Sequence, residues 1–203
     1  MGYYIRVLGT ADPDIHIDEL IRGLANDDLT ALFSINENET ADNWTVINVA
    51  NSDGEDLMQI ERNPVVDGEL SKEELEEFRE LIQDFKPTSA VKWLDKYFDK
   101  VTVIYAFQLL NASMDDKMLS IVGSVKSTIW SKTGGIFQAD NEGFSNEEGY
   151  HILWQFADEV TGDWNMAVID FFGNWTNFTM DLGAQIQRQE FWEGIVPKGA
   201  TKL

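Results

Sequence analysis

Two hydrophobic periods alternate along the chain, one suited to strands and one to helices, and together they predict its elements. A β-rich run at 3–8, closed by Gly9 and the turn Asp12-Pro13-Asp14, predicts an opening strand. Ile17, Leu20, Ile21 and Leu24 then recur at helical spacing. Asp14 is the expected N-cap of that helix, Asp18 and Glu19 suit the positive end of its dipole, and Asn26-Asp27-Asp28 ends it. A strand at 32–36 follows. Residues 44–50 and 57–62 predict a hairpin, because Asp53-Gly54 between them tolerates the positive φ of a tight turn.

The clearest helix spans 71–85. Ser71 and Glu74 are spaced as a capping box, and Leu75, Phe78, Leu81, Ile82 and Phe85 make one apolar stripe. Lys86-Pro87 stops it, and Thr88 or Ser89 caps a second helix that carries Val91, Leu94, Tyr97 and Phe98 on one face. Stripes of this size must be covered, so both helices are expected to pack against a sheet. The near-continuous apolar run at 101–110 predicts a strand buried on both faces. Asp115 or Asp116 opens the next helix, whose buried stripe is Met118, Ile121, Val122, Val125 and Ile129.

The stretch 129–156 organises the rest. The helix ends at Gly134-Gly135, a strand follows at 136–139, an acidic, glycine-punctuated loop comes next, and an aromatic strand is expected at 150–156. Two further strands, 164–171 and 175–182, complete a meander, and a short helix at 184–192 ends before Gly194 and Pro197. The expected fold is α+β, with mixed or mostly antiparallel sheet and helices packed on one face. It is expected as a single compact domain over 1–203. Within it, 3–62 and 101–182 share a strand–helix–strands order and are joined by the helix pair at 71–98.

Composition narrows the chemistry. Trp44, Trp93, Trp130, Trp154, Trp164, Trp175 and Trp192 are spread along the chain, so no long region reads as disordered. There is no cysteine, which removes disulfides, thiolate catalysis and thiolate-bound zinc and suits a reducing, cytoplasmic setting. The net charge of -21 repels phosphate backbones and anionic lipid and speeds encounter with a basic partner. No window approaches the roughly 18 apolar residues of a membrane helix. No secretory leader is read at the N-terminus, and Met1-Gly2 opens like a myristoylation site but has Arg6 where Ser or Thr is needed.

Catalytic and metal motifs are weak. Neither Gly143 nor Gly149 can serve as the sixth residue of an EF-hand loop with ligands in order. His16 and His151 are the only histidines, and no zinc spacing, nucleophile elbow, phosphate loop or dinucleotide fingerprint is present. No metal or cofactor is expected. The remaining expectation is a non-enzymatic acidic interaction module, of which a bacterial toxin-immunity protein covering a basic nuclease groove is a concrete form. Its binding residues are placed on the central loop: Asp140, Glu142, Phe144, Glu147, Glu148 and Tyr150. The alternative is a hydrolase of a carbohydrate or small polar substrate acting through residues 140–148, with Asp140 and Glu142 as paired carboxyls beside stacking aromatics.

Overall fold

The computed structural model describes residues 3–203. Met1 and Gly2, and with them the acceptor glycine considered above, lie outside the described residues. The elements run β1 (Tyr3–Gly9), α1 (Ile17–Asn26), β2 (Leu32–Ile35), β3 (Val46–Ala50), β4 (Asp56–Pro64), α2 (Leu70–Leu81), α3 (Thr88–Tyr97), β5 (Val103–Leu109) and α4 (Asp116–Thr133). They continue with β6 (Ile136–Ala139), β7 (Gly143–Phe144), β8 (Asp163–Ile169), β9 (Trp175–Asp181), α5 (Gln185–Trp192) and β10 (Thr201–Lys202). The fold is α+β with antiparallel sheets. It divides into two compact units, Met1–Asp67 with Val101–Gly135 and Gly68–Lys100 with Ile136–Leu203.

In the first unit the strands lie in the order β2-β3-β4-β5-β1, each antiparallel to its neighbour. β5 is an interior strand there, paired from Val103 to Leu109 with both β1 and β4, and every residue except Gln108 is buried. This is the reason for its uninterrupted apolar sequence. Asp115 caps α4 by accepting from the Lys117 N–H at 3.0 Å, and Ile121, Val122, Val125 and Ile129 are buried as the periodicity predicts.

Two local expectations change in this unit. His16 rather than Asp14 caps α1: its Nδ1 accepts from the Asp18 N–H at 3.1 Å, and the Glu19 carboxylate accepts from the His16 N–H at 3.3 Å. Asp14 instead lies 3.5 Å from the Arg62 guanidinium, which Asp12 holds at 2.8 Å. At the other end of α4, Gly135 has φ 103° and approaches Leu8 so closely that a Cβ would stand 2.1 Å from the Leu8 carbonyl oxygen.

In the second unit α2 and α3 are tied by Arg79. Its guanidinium reaches the Asp95 carboxylate and backbone carbonyl and the Asp99 carboxylate, each at 2.9 Å. Phe78, Leu94 and Phe98 are buried, and Phe78 and Phe98 both face Phe144 of β7. Leu81 leaves the expected stripe and is 52% exposed. At 3.6 residues per turn Leu81 lies about 120° round the helix from Leu75, whereas Ile82, seven residues beyond Leu75, falls on the buried face. The helix also starts earlier than expected. α2 starts after Glu69, with no side-chain cap, so Ser71 lies inside the first turn and is buried.

A second core lies between β8, β9 and α5, where Trp154, Phe156, Met166, Val168, Phe178, Met180, Leu182 and Phe191 pack together. The strand expected at 150–156 does not form. The His151 N–H donates to Asn165, the Ile152 N–H to Phe144 and the Trp154 N–H to Lys86. Three partners on three segments satisfy the backbone without a ladder. β10 pairs with β9 at the edge of the three-stranded sheet.

Candidate functional site

The four carboxylates of the central loop sit on two successive turns. Asp140 and Glu142 flank Asn141 in the β6–β7 hairpin, where Asn141 (φ 63°) and Gly143 (φ 98°) take the left-handed backbone that reverses the chain. Phe144 is fully buried in the aromatic core and presents no face to a ligand. Its place in the candidate binding set is therefore a core position, which its neighbours in sequence disguised.

The second turn is built on Asn146. This side chain is fully buried, and its Oδ1 accepts from the N–H of Glu148 at 3.0 Å and of Tyr150 at 2.9 Å. A buried amide with both acceptor positions filled rigidifies the turn that carries it. Glu147 and Glu148 are thereby held outward and exposed. Asn177 of β9 donates through Nδ2 to the Glu148 carboxylate, which fastens the turn to that strand. Tyr150 is half-buried at the turn's end, its carbonyl accepting from the Asn146 N–H at 2.8 Å. Burial pushes the Tyr97 hydroxyl well above the usual phenol range, and the Glu147 charge adds to the shift.

From Asn177 the strand leads through Trp175 to the β8–β9 connection. Trp175 meets Trp93 edge-on at 5.0 Å, and Trp93 stacks on Tyr97 at 4.7 Å. Beyond them Phe171 and Phe172 are 97% and 85% exposed. Their rings touch edge to face at 5.7 Å. The turn that presents them is ordered by Asp170, whose Oδ1 accepts from the Phe172 N–H at 2.8 Å and the Asn174 N–H at 2.9 Å. The bonds from Asn174 and Phe172 hold the Asp170 carboxyl below the usual carboxylate range. The sequence presented Phe171 as the end of a strand; only the turn made by Asp170 and Gly173 shows that both rings leave the sheet.

Three clefts of the second unit adjoin Trp192. One of about 550 Å³ lies against Lys86, Ser89 and Gln189. A second of about 420 Å³ runs past Arg188 and Thr161. A third of about 280 Å³ is walled by Trp154, Phe156 and Phe85. Asp140 and Glu142 line none of the three. Among the described residues no three His, Asp or Glu side chains gather as metal ligands, and no helix is long and apolar enough to cross a membrane. His151 is half-buried against Trp164 and Phe156.

The acidic turn at 147–148, the Trp93–Tyr97–Trp175 group and the Phe171–Phe172 tip thus follow one another along β9 and α3. Two exposed carboxylates flank a run of aromatic side chains that ends in fully accessible rings. Comparison with protein-family models, with curated proteins and with solved structures found no match to the chain.

Proposed function

We propose that the protein is a non-enzymatic interaction module that binds a basic protein partner through the β8–β9 hairpin and the adjoining Glu147–Glu148 turn. The observation that carries this reading is the near-complete exposure of Phe171 and Phe172 on a turn already fixed by Asp170. Burying a phenylalanine side chain contributes about 2 kcal/mol. An ordered turn loses little conformational entropy when it docks, so more of that contribution remains as affinity. Aromatic side chains at the centre and charges at the rim are the usual anatomy of a protein interface. The charge of -21 supports a basic partner over an acidic one and favours rapid, salt-sensitive encounter. A toxin-immunity protein that shields a basic nuclease surface is one concrete form of such a module.

The test is co-purification from the native host with wild-type protein and with a Phe171→Ser/Phe172→Ser variant, at low and high salt. A specific partner is expected whose affinity falls about 30-fold or more in the double variant. Glu147→Gln/Glu148→Gln is expected to slow association more than it speeds dissociation. A partner held equally by both proteins, and indifferent to salt, would overturn the reading. A hydrolase acting through the central loop would instead lose turnover in Glu142→Gln while retaining substrate binding.

A further inference from the structure

The cleft of about 280 Å³ beside Trp154 has walls of a particular kind. The Trp154 ring stands at 84° to Trp192 and at 74° to Phe156, with centroids 5.7 Å and 5.3 Å away. Phe85 completes the aromatic lining, and Asp84, Gln155 and Asp158 also line the cleft. Aromatic faces carry negative potential and attract cations, most strongly where water is excluded. The chain already uses Trp154 in this way. The Arg188 guanidinium lies 5.1 Å from its ring centroid, with its N–H groups engaged by the carbonyls of Leu182, Asp158 and Val160. Lys86 also lines the cleft, but its Nζ lies 3.4 Å from Thr88 Oγ1, on the side of the neighbouring cleft.

We infer that this aromatic box binds an organic cation, a guanidinium or an alkylated ammonium. Trp154 and Phe156 are 7% and 6% exposed, so the accessible aromatic surface of the cleft comes mainly from Trp192, 36% exposed, and Phe85, and such surface suits a compact, weakly hydrated cation. Asp84 and Asp158 supply the countercharge and disfavour phosphate or carboxylate ligands. The volume lies near the lower end of ligand pockets, about 300–1,000 Å³, which fits a small head group on a short stem. The inference does not rest on the hairpin reading. The cation is either a free small molecule or a side chain of a protein partner, and the chemistry of recognition is the same.

The test is a titration of the ¹⁵N-labelled full chain, at matched ionic strength, followed by the tryptophan indole N–H resonances. The probes are tetramethylammonium, choline, the uncharged choline isostere 3,3-dimethylbutan-1-ol, and the amide-capped amino acids arginine and trimethyllysine. Saturable shifts of the Trp192 and Trp154 resonances are expected with the cations, the Trp154 resonance being the readout in Trp192→Ala, and at least about 10-fold weaker binding of the isostere. Asp158→Asn is expected to weaken binding about 3–10-fold and Trp192→Ala about 10-fold or more, with the Trp44 resonance unmoved as a check on folding. Tighter binding of the capped amino acids than of choline assigns the site to a partner's side chain, and the reverse assigns it to a free cation. Equal binding of choline and its isostere, unchanged affinity in Trp192→Ala, or no saturable shift with any cation would overturn the inference.

Discussion

Trp44 joins packing and hydrogen bonding in one residue. It is 2% exposed, its indole N–H donates to the Ile15 carbonyl at 2.7 Å, and its ring meets Tyr105 edge-on at 5.8 Å. Trp44→Phe removes part of the ring and strands the Ile15 carbonyl. We expect a loss of about 2–4 kcal/mol, read as a lower urea midpoint with an unchanged slope. Gly135→Ala is expected to cost at least as much, because its φ of 103° disfavours a side chain and the new Cβ would meet the Leu8 carbonyl. Acid is expected to loosen the molecule through particular carboxylates. Glu39, held low by the Thr45 hydroxyl and N–H, and Asp170, held low by Asn174 and Phe172, both have depressed folded-state pKa values. Their contribution is complete above the ordinary carboxylate range and is lost as pH falls below it. The protection of the Phe172 and Thr45 amides, taken relative to their intrinsic exchange rates, should therefore fall only on the acid side of that range. At this scale the sequence was legible where one residue type has one dominant use. Asp115 caps α4 as its position implies, whereas the cap of α1 went to His16 because Asp14 lies beside Arg62.

Helix α1 meets helix α4 at a point set by Gly23. A Cβ there would stand 2.3 Å from Thr128 Oγ1, and that hydroxyl already donates to the Ser124 carbonyl at 3.0 Å. Alanine would favour the helix by about 1 kcal/mol, yet Gly23→Ala is expected to destabilise by about 1–2 kcal/mol net. Thr128→Ala in the same chain should recover most of that loss, so the pair should be strongly non-additive in thermal melts. If Gly23→Ala alone raised the melting temperature, the close crossing would not be controlling the helix pair. Elements with a single uninterrupted period were readable from sequence: β5, α3 and α4 lie where their patterns place them. Residues 150–156 were not. Their aromatic alternation is that of a strand, but Ile152, Leu153 and Trp154 are all buried, and their backbone partners come from separate segments. Period alone cannot show whether a neighbouring strand exists to complete a ladder.

Charge acts on the molecule as a whole. With 36 acidic and 15 basic residues, self-repulsion opposes the compact state. Raising sodium chloride from about 0.02 M to 0.5 M shortens the screening length several-fold and is expected to raise Tm by about 3–6 °C. A Tm that is flat or falls with salt would mean that local ion pairs such as Arg79 with Asp95 and Asp99 outweigh the net repulsion. The acidity of the chain was plain in the sequence, as were the outward carboxylates Glu147 and Glu148. The aromatic box and the hairpin tip were not, because Phe85, Trp154 and Trp192 are far apart in the chain and read there only as apolar positions.

The pairing of β1 with β5 also fixes an order in time. On a ribosome adding about 5–20 residues per second, the opening strand is made many seconds before the segment that joins it to β4. During that interval β2, β3 and β4 can close as successive hairpins, while β1 has no partner in its own unit and β4 has one open edge. Val103–Leu109 ends the wait for both at once. A nascent chain halted just short of it leaves β1 unpartnered and an edge of β4 open, and unpaired strand edges make a chain prone to aggregate. The seven residues of β5 thus set the earliest moment at which the ladders to β1 and β4 can form, however early those two strands are made.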